Sequence, residues 1–449
     1  MKSTIIANVI QSGLAYLAIL LITFAAIWAM IRPSAAIGLL VSLYAAEQVL
    51  AGHLLFISTY GSAYNFFIGG ICLVAMVIEL VRFGLPRLPV GYLGVFAALF
   101  SFVCASLAWT PSPILGADWV KHFAAEIPLA ILLPLVTLRR TDDFRPPIQV
   151  SVLLAVVVAL GVIVSPLVVS YSGRTHLTAG GTVLSPAEFT GIALVFVVIL
   201  DRRFLGLLAT LRIPIAIILA SGTLLSGARG QFLLAIGLAG AIRIARLYST
   251  QIRGIFATVA LALIGVMIAF AVILTDLNVP SFRASERFTP ESITQGLQIR
   301  FGFIRESFTL HKPIFGHGIG GWSYMHNRVD AERKRMEELT LYPHNSLAHV
   351  YFEFGVVGLL LFGSILCIGA RNARFLLARY KNEPALRSLV ATIAAYLAFS
   401  FLLSLKQSTF LAAIGIYLST SMLCALTELH RIETMENAST QDRNGSIPI

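Results

Sequence analysis

The chain of 449 residues is 57% hydrophobic and 12% charged, with a mean hydropathy of +0.84. Soluble domains carry about twice that charged share, so the composition excludes a soluble enzyme and points to a polytopic membrane protein. The net charge of +11 does not mark a nucleic-acid binder, because the arginines cluster in short loops between apolar runs, where they set topology.

Apolar runs long enough to cross a bilayer recur near 10–31, 35–57, 64–81, 90–109, 123–138, 148–169, 187–200, 205–226, 230–246, 255–274, 346–370, 387–404 and 408–428. They predict an all-α polytopic protein of about 12–13 transmembrane helices. The opening stretch to Met30 lacks a cleavage site and is too long for the apolar core of a signal peptide, so it reads as a retained first span. Four cysteines, Cys72, Cys104, Cys367 and Cys424, lie far apart in apolar runs and read as small buried hydrophobes.

One set of loops is basic: Arg82 and Arg87, then Arg139, Arg140 and Arg145, then Arg202 and Arg203, then Arg243, Arg246 and Arg253, then Arg371 to Arg387. These are assigned to the cytoplasm. The alternating loops, 58–63, 110–122, 170–186, 227–229 and the turn near Lys406, are nearly uncharged and face outward. From the third run onward the alternation is regular. Carried back, it puts the N-terminus outside, or else one of the first three runs is re-entrant.

Four regions follow: an N-terminal transmembrane bundle over 1–274, an outward loop domain over 275–343, C-terminal transmembrane helices over 344–430 and a cytoplasmic, disordered tail over 431–449. Within the loop domain, "YMHNRVDAERKRMEELTLY" predicts an amphipathic helix on the membrane surface. No internal repeat is visible.

Arg229, in "TLLSGARGQFLLAIG", stands between two apolar runs on an outward turn that the inside-positive rule does not explain. An arginine within a bilayer needs a partner or a role, and a guanidinium suits a phosphate or diphosphate. The competing reading is an ordinary interfacial arginine. In the loop domain, Arg300 and Arg305 are spaced for nearly one helical face. The glycines Gly316, Gly318 and Gly320 of "GHGIGG" permit close backbone approach to a ligand, against the bland alternative of a flexible turn. In "LYPHNSLAHVYFEFG", Pro343 stops any preceding helix and Asn345 or Ser346 caps the next. That leaves His344 at the outer mouth of a membrane helix, against the alternative of a solvated loop histidine. His349 and Glu353, four residues apart, can pair. "TDDF" at 141–144 falls on the cytoplasmic side and reads as loop solvation. There is no metal-ligand spacing and no phosphate loop.

The motifs "RGQF", "KPIFGHGIGGW" and "HNSLAHVYFEFGVVG", in that order, resemble the O-antigen ligase and O-antigen polymerase superfamily over about Arg229 to Gly358. "WTPSP" and "GGTVLSPAE" resemble its outer loops more loosely, with Ala228 and Ser185 departing from the family pattern. The resemblance implies a C-type glycosyltransferase of the bacterial inner membrane with one large periplasmic loop. It implies an active site on the periplasmic face that takes a glycan from undecaprenyl diphosphate without metal, nucleotide or other cofactor. Catalytic positions implied are His344, Arg229 and Arg300. Substrate-binding positions are Arg305, Gly316, Gly318, Gly320 and Asn345, with Arg174 and Lys121 from the other outward loops. The acceptor expected is lipid A-core; a growing O-antigen or exopolysaccharide is the alternative, and transfer to protein a third. Membrane lipid is a partner and nucleic acid is not. A transporter, from a different class, would need to use Glu47, Glu79, Glu126 and Lys406.

Overall fold

The computed structural model describes residues 2–51, 61–164, 168–169, 175–176, 184–226, 228–247, 290–309, 312–326, 342–407 and 409–445. The apolar run at 255–274 and most of the predicted amphipathic helix at 324–342 lie outside the described residues.

The helices, in chain order, are α1 (Lys2–Ile31), α2 (Ala35–Ala51), α3 (Gly61–Phe83), α4 (Val90–Ala105), α5 (Pro113–Thr137), α6 (Arg145–Val164), α7 (Leu184–Ile199), α8 (Arg202–Leu205), α9 (Arg212–Leu225) and α10 (Arg229–Leu247). Within the segment 275–343 lie α11 (Pro290–Thr309) and α12 (Gly321–His326), and after it come α13 (Ser346–Arg379), α14 (Pro384–Gln407) and α15 (Ile414–Gly445). A two-residue antiparallel ladder, Val168–Val169 against Thr175–His176, interrupts the all-α architecture. Among the described residues six helices are long and apolar enough to cross a membrane, or seven if α8 and α9, bent by 87°, make one span. Four more apolar stretches of 10–17 residues, Tyr16–Ile31, Ala35–Gln48, Leu184–Ile199 and Gly230–Arg243, lie within α1, α2, α7 and α10.

The local reasons are legible. Pro113 stands in the first turn of α5, where its missing N–H costs nothing. Pro128 and Pro134 lie inside the same helix, as membrane helices tolerate when neighbours satisfy the freed backbone. Large apolar side chains such as Leu20, Phe24, Phe66, Val81 and Leu360 remain exposed, as lipid-facing surfaces require.

Two groups of helices form the bundle. In the first, α2 and α9 pack on α6, and α7 is enclosed by α6, α9, α10 and α14. In the second, α13, α14 and α15 pack together, with α4 against α13 and α5 against α15. An aromatic core of Phe96, Phe100, Phe123, Phe410 and Tyr417 fills the second group.

The basic loops converge on one side. Arg203 reaches Asp142 at 2.8 Å, and Arg139 lies 3.9 Å from Glu79 and donates to the Gly84 carbonyl. The Asp143 carboxylate accepts from the backbone N–H groups of Arg139 and Arg140 at 3.0 and 2.8 Å. The "TDDF" pair is therefore a tie between loops rather than loop solvation. Beyond residue 430 the chain differs from the disordered tail that its composition predicts: α15 continues to Gly445. Its continuation is supported where Arg379 donates to His430 at 3.0 Å and Arg431 pairs with Glu428.

Candidate active site

α13 is broken at Gly355, whose φ of 62° and ψ of −156° interrupt the helical ladder. The carbonyls freed there turn to the segment 312–320. The N–H of His317 donates to Phe352 O at 2.9 Å, and that of Gly318 to Glu353 O at 2.8 Å. In return Val356 N–H donates to Pro313 O at 2.9 Å. Gly316, Gly318 and Gly320 all have positive φ, at 67°, 85° and 78°. A Cβ on Gly316 would overlap the Glu353 backbone, and one on Gly355 the Ile314 carbonyl. A Cβ on Gly318 would stand 2.7 Å from Ser106 O. On the far side, Ile319 N–H donates to Ser106 Oγ at 3.1 Å and Thr110 Oγ1 donates to Ile319 O at 2.7 Å. The close approach these glycines permit is to the protein's own main chain. It joins the "WTPSP" turn, the glycine run and the kinked helix into one unit.

This unit supports the mouth of α13. Asn345 is the N-cap: its Oδ1 accepts from Ala348 N–H at 2.9 Å, and its Nδ2 donates to Leu405 O at 3.0 Å. Ser346 and Ser404 hydroxyls meet at 2.7 Å. One amide atom of Asn345 thus caps α13 and the other ties its start to the end of α14. His344 precedes the cap with φ 55°, and it alone of the described non-glycine residues has positive φ. Its ring stacks on Phe303 at 6.0 Å between centroids and meets Tyr342 edge-on at 4.9 Å.

Phe303 lies on α11, which brings Arg300 to this side, one turn away and half-buried. Arg305 is exposed. The two arginines do not share a face, because five residues at 100° each leave them about 140° apart. Phe303 also packs on Trp322 and His326 of α12, and His326 Nδ1 lies 2.8 Å from Glu306 Oε2. Lys121 is exposed on α5, two residues after Trp119, whose ring lies 6.5 Å from that of His349. Arg174 lies outside the described residues.

Behind the mouth, His349 and Glu353 pair at 3.1 Å as their spacing suggests, with side chains 0% and 1% exposed. The second ring nitrogen of His349 meets Thr409 Oγ1 at 2.8 Å. Trp322 N–H approaches Glu353 Oε1 at 3.5 Å. Thr409 was not among the expected residues: it comes from the turn after α14 and carries no motif.

A further residue joins from the same turn. The Lys406 side chain lies across Gly230, so a Cβ there would collide with the ammonium and stand 2.9 Å from Cδ and Cε. Gly230 follows Arg229, whose backbone opens α10; the Arg229 side chain lies outside the described residues. Through Asn345–Leu405 and Lys406–Gly230, the His344 mouth and the Arg229 turn become neighbours. Among the described residues no three His, Cys, Asp or Glu side chains gather as metal ligands.

The fold and this mouth define a multi-pass helical membrane protein whose polar site lies where segment 312–320 meets a broken helix. Residues 214–363 match the family model described as O-Antigen ligase, a stretch running from α9 through the glycine unit into α13. Over that third of the chain the match supports the O-antigen ligase superfamily. No curated protein matches the chain.

Proposed function

We propose that this enzyme transfers a glycan from undecaprenyl diphosphate to a lipid A-core acceptor at the periplasmic face of the bacterial inner membrane. The observation that carries this reading is the backbone of His344. A left-handed conformation costs an L-residue about 1 kcal/mol, and glycine would adopt it freely. Keeping an imidazole there, flanked by Phe303 and Tyr342, argues that the ring itself is needed.

In the reaction, the acceptor hydroxyl oxygen attacks the anomeric carbon of the donor sugar. Its proton passes to neutral His344. The bond from the anomeric carbon to the diphosphate oxygen breaks, and its electron pair leaves with the diphosphate. Arg229 and Arg300 neutralise that developing charge. Because guanidinium groups do this work, transfer continues with EDTA present and ATP absent. Lys121, Arg174 and Arg305 guide the anionic donor and acceptor from their outward positions, while the three glycines and Asn345 hold the mouth in shape.

The test is glycan transfer in membranes at matched protein levels. His344→Ala lowers transfer about a hundredfold or more. His344→Gly relieves the strained backbone, so it raises the unfolding temperature while activity stays lost. Arg300→Lys keeps the charge but loses the planar fork, and transfer falls at least about tenfold. Full activity in His344→Gly would reduce the residue to a turn-former and remove the assigned base.

A further inference from the structure

Lys406 closes the apolar helix α14 and is half-buried. A lysine at a helix C-terminus ordinarily serves its own carbonyls or stretches to water. This one runs over Gly230, into the first turn of α10, beside the position of Arg229. The ammonium thereby stands at the start of α10, where the partial charge of the helix end is also positive, in an apolar bundle. A cation held at that end is placed to attract a polyanion. Leu405, one residue earlier, is the carbonyl that Asn345 holds, so the lysine is fixed relative to the His344 mouth. The position also explains the glycine: any side chain at 230 would displace the ammonium. Lys406 lies outside the matched stretch 214–363, so the family match says nothing of it.

We propose that Lys406, seated on Gly230 beside Arg229, is a binding residue for the diphosphate of the lipid-linked donor. This rests on the reading of the chain as a lipid-diphosphate glycosyltransferase. The lysine grips the diphosphate in the ground state as in the transition state, so its loss acts mainly on donor affinity.

The experiment has two arms. In membranes, Lys406→Gln raises the KM for the lipid-diphosphate glycan at least about tenfold with a smaller fall in kcat, and Lys406→Arg stays within about threefold of the unsubstituted protein. Gly230→Ala, which leaves every charge in place, reproduces the KM effect of Lys406→Gln. In the second arm, the purified protein is heated with farnesyl diphosphate or farnesyl monophosphate, without acceptor. The diphosphate stabilises the unsubstituted protein more than the monophosphate does, and Lys406→Gln loses that difference. If the unsubstituted protein transfers glycan but Lys406→Gln keeps both its KM and the diphosphate preference, the assignment of Lys406 is overturned and the transferase reading stands. If the unsubstituted protein neither transfers nor distinguishes the two lipids, both readings fall together.

Discussion

The mouth around His344 is held by main chain, whereas the cluster around Tyr44 and Glu126 is held by side chains. In the first, loop 312–320 and helix α13 exchange backbone hydrogen bonds, and the glycines at 316, 318 and 355 admit the contact. In the second, Tyr44 donates to Glu126, and Gln48 Nε2 reaches Ser185 Oγ at 3.4 Å. Backbone ties fix position to a fraction of an ångström and tolerate no added carbon. Side-chain ties satisfy buried polar groups and leave the helices free to adjust. The difference is what is expected between a region that, on the proposed reading, presents a base to a substrate and one that must remain stable among apolar helices.

The sharpest way to break the first region is Gly316→Val. It adds strain at positive φ and a collision with the Glu353 backbone, more than about 3 kcal/mol together. Size-exclusion of the detergent extract should show no monodisperse protein; a normal peak would mean that the loop docks loosely. A smaller effect follows from Glu353→Ala, which leaves buried His349 and the Trp322 N–H without that carboxylate. About 3 kcal/mol is expected, with a lowered thermal midpoint in detergent. An unchanged midpoint would show that the pair contributes nothing beyond packing. In the second region, Tyr44→Phe removes one hydrogen bond to a carboxylate and should cost about 1–2 kcal/mol while transfer per folded molecule stays the same. A selective loss of transfer would make this cluster part of the reaction and erase the contrast.

The smallest effect lies at the far end of the bundle. Burial and the neighbouring Arg379 hold the His430 imidazole below its ordinary range. The folded state therefore resists protonation while the unfolded chain accepts it, and stability is lost as the pH falls below about 6.5. His430→Gln should flatten the change in thermal midpoint between pH 7.5 and pH 5.5; an identical slope in both proteins would assign the pH effect elsewhere.

Much of this could be read from the chain itself. Apolar runs located nearly every described helix, because bilayer length is a one-dimensional constraint. The His349–Glu353 pair followed from helical spacing alone. The glycine run was visible but its partner was not, since that partner is a break in a helix whose interruption only the docked loop reveals. The spacing of Arg300 and Arg305 suggests one face, but the helical angle separates them by about 140°. Thr409 and Lys406 carry no motif; they matter through a turn some 60 residues from His349 in sequence, and no local pattern announces such a contact.

The interlock at Gly355 also has a bearing on how this protein can be recombined with its relatives. Segment 312–320 and the first three turns of α13 are cast against each other, so neither half carries its shape alone. A graft that exchanges the loop before α13 at the natural-looking seam of Pro343 would pair one parent's glycines with another parent's kink. The exchangeable module instead runs from before Lys312 to beyond Gly358 and takes the turn at 106–110 with it. Acceptor preference, if carried by the loop, is therefore inherited together with a length of membrane helix.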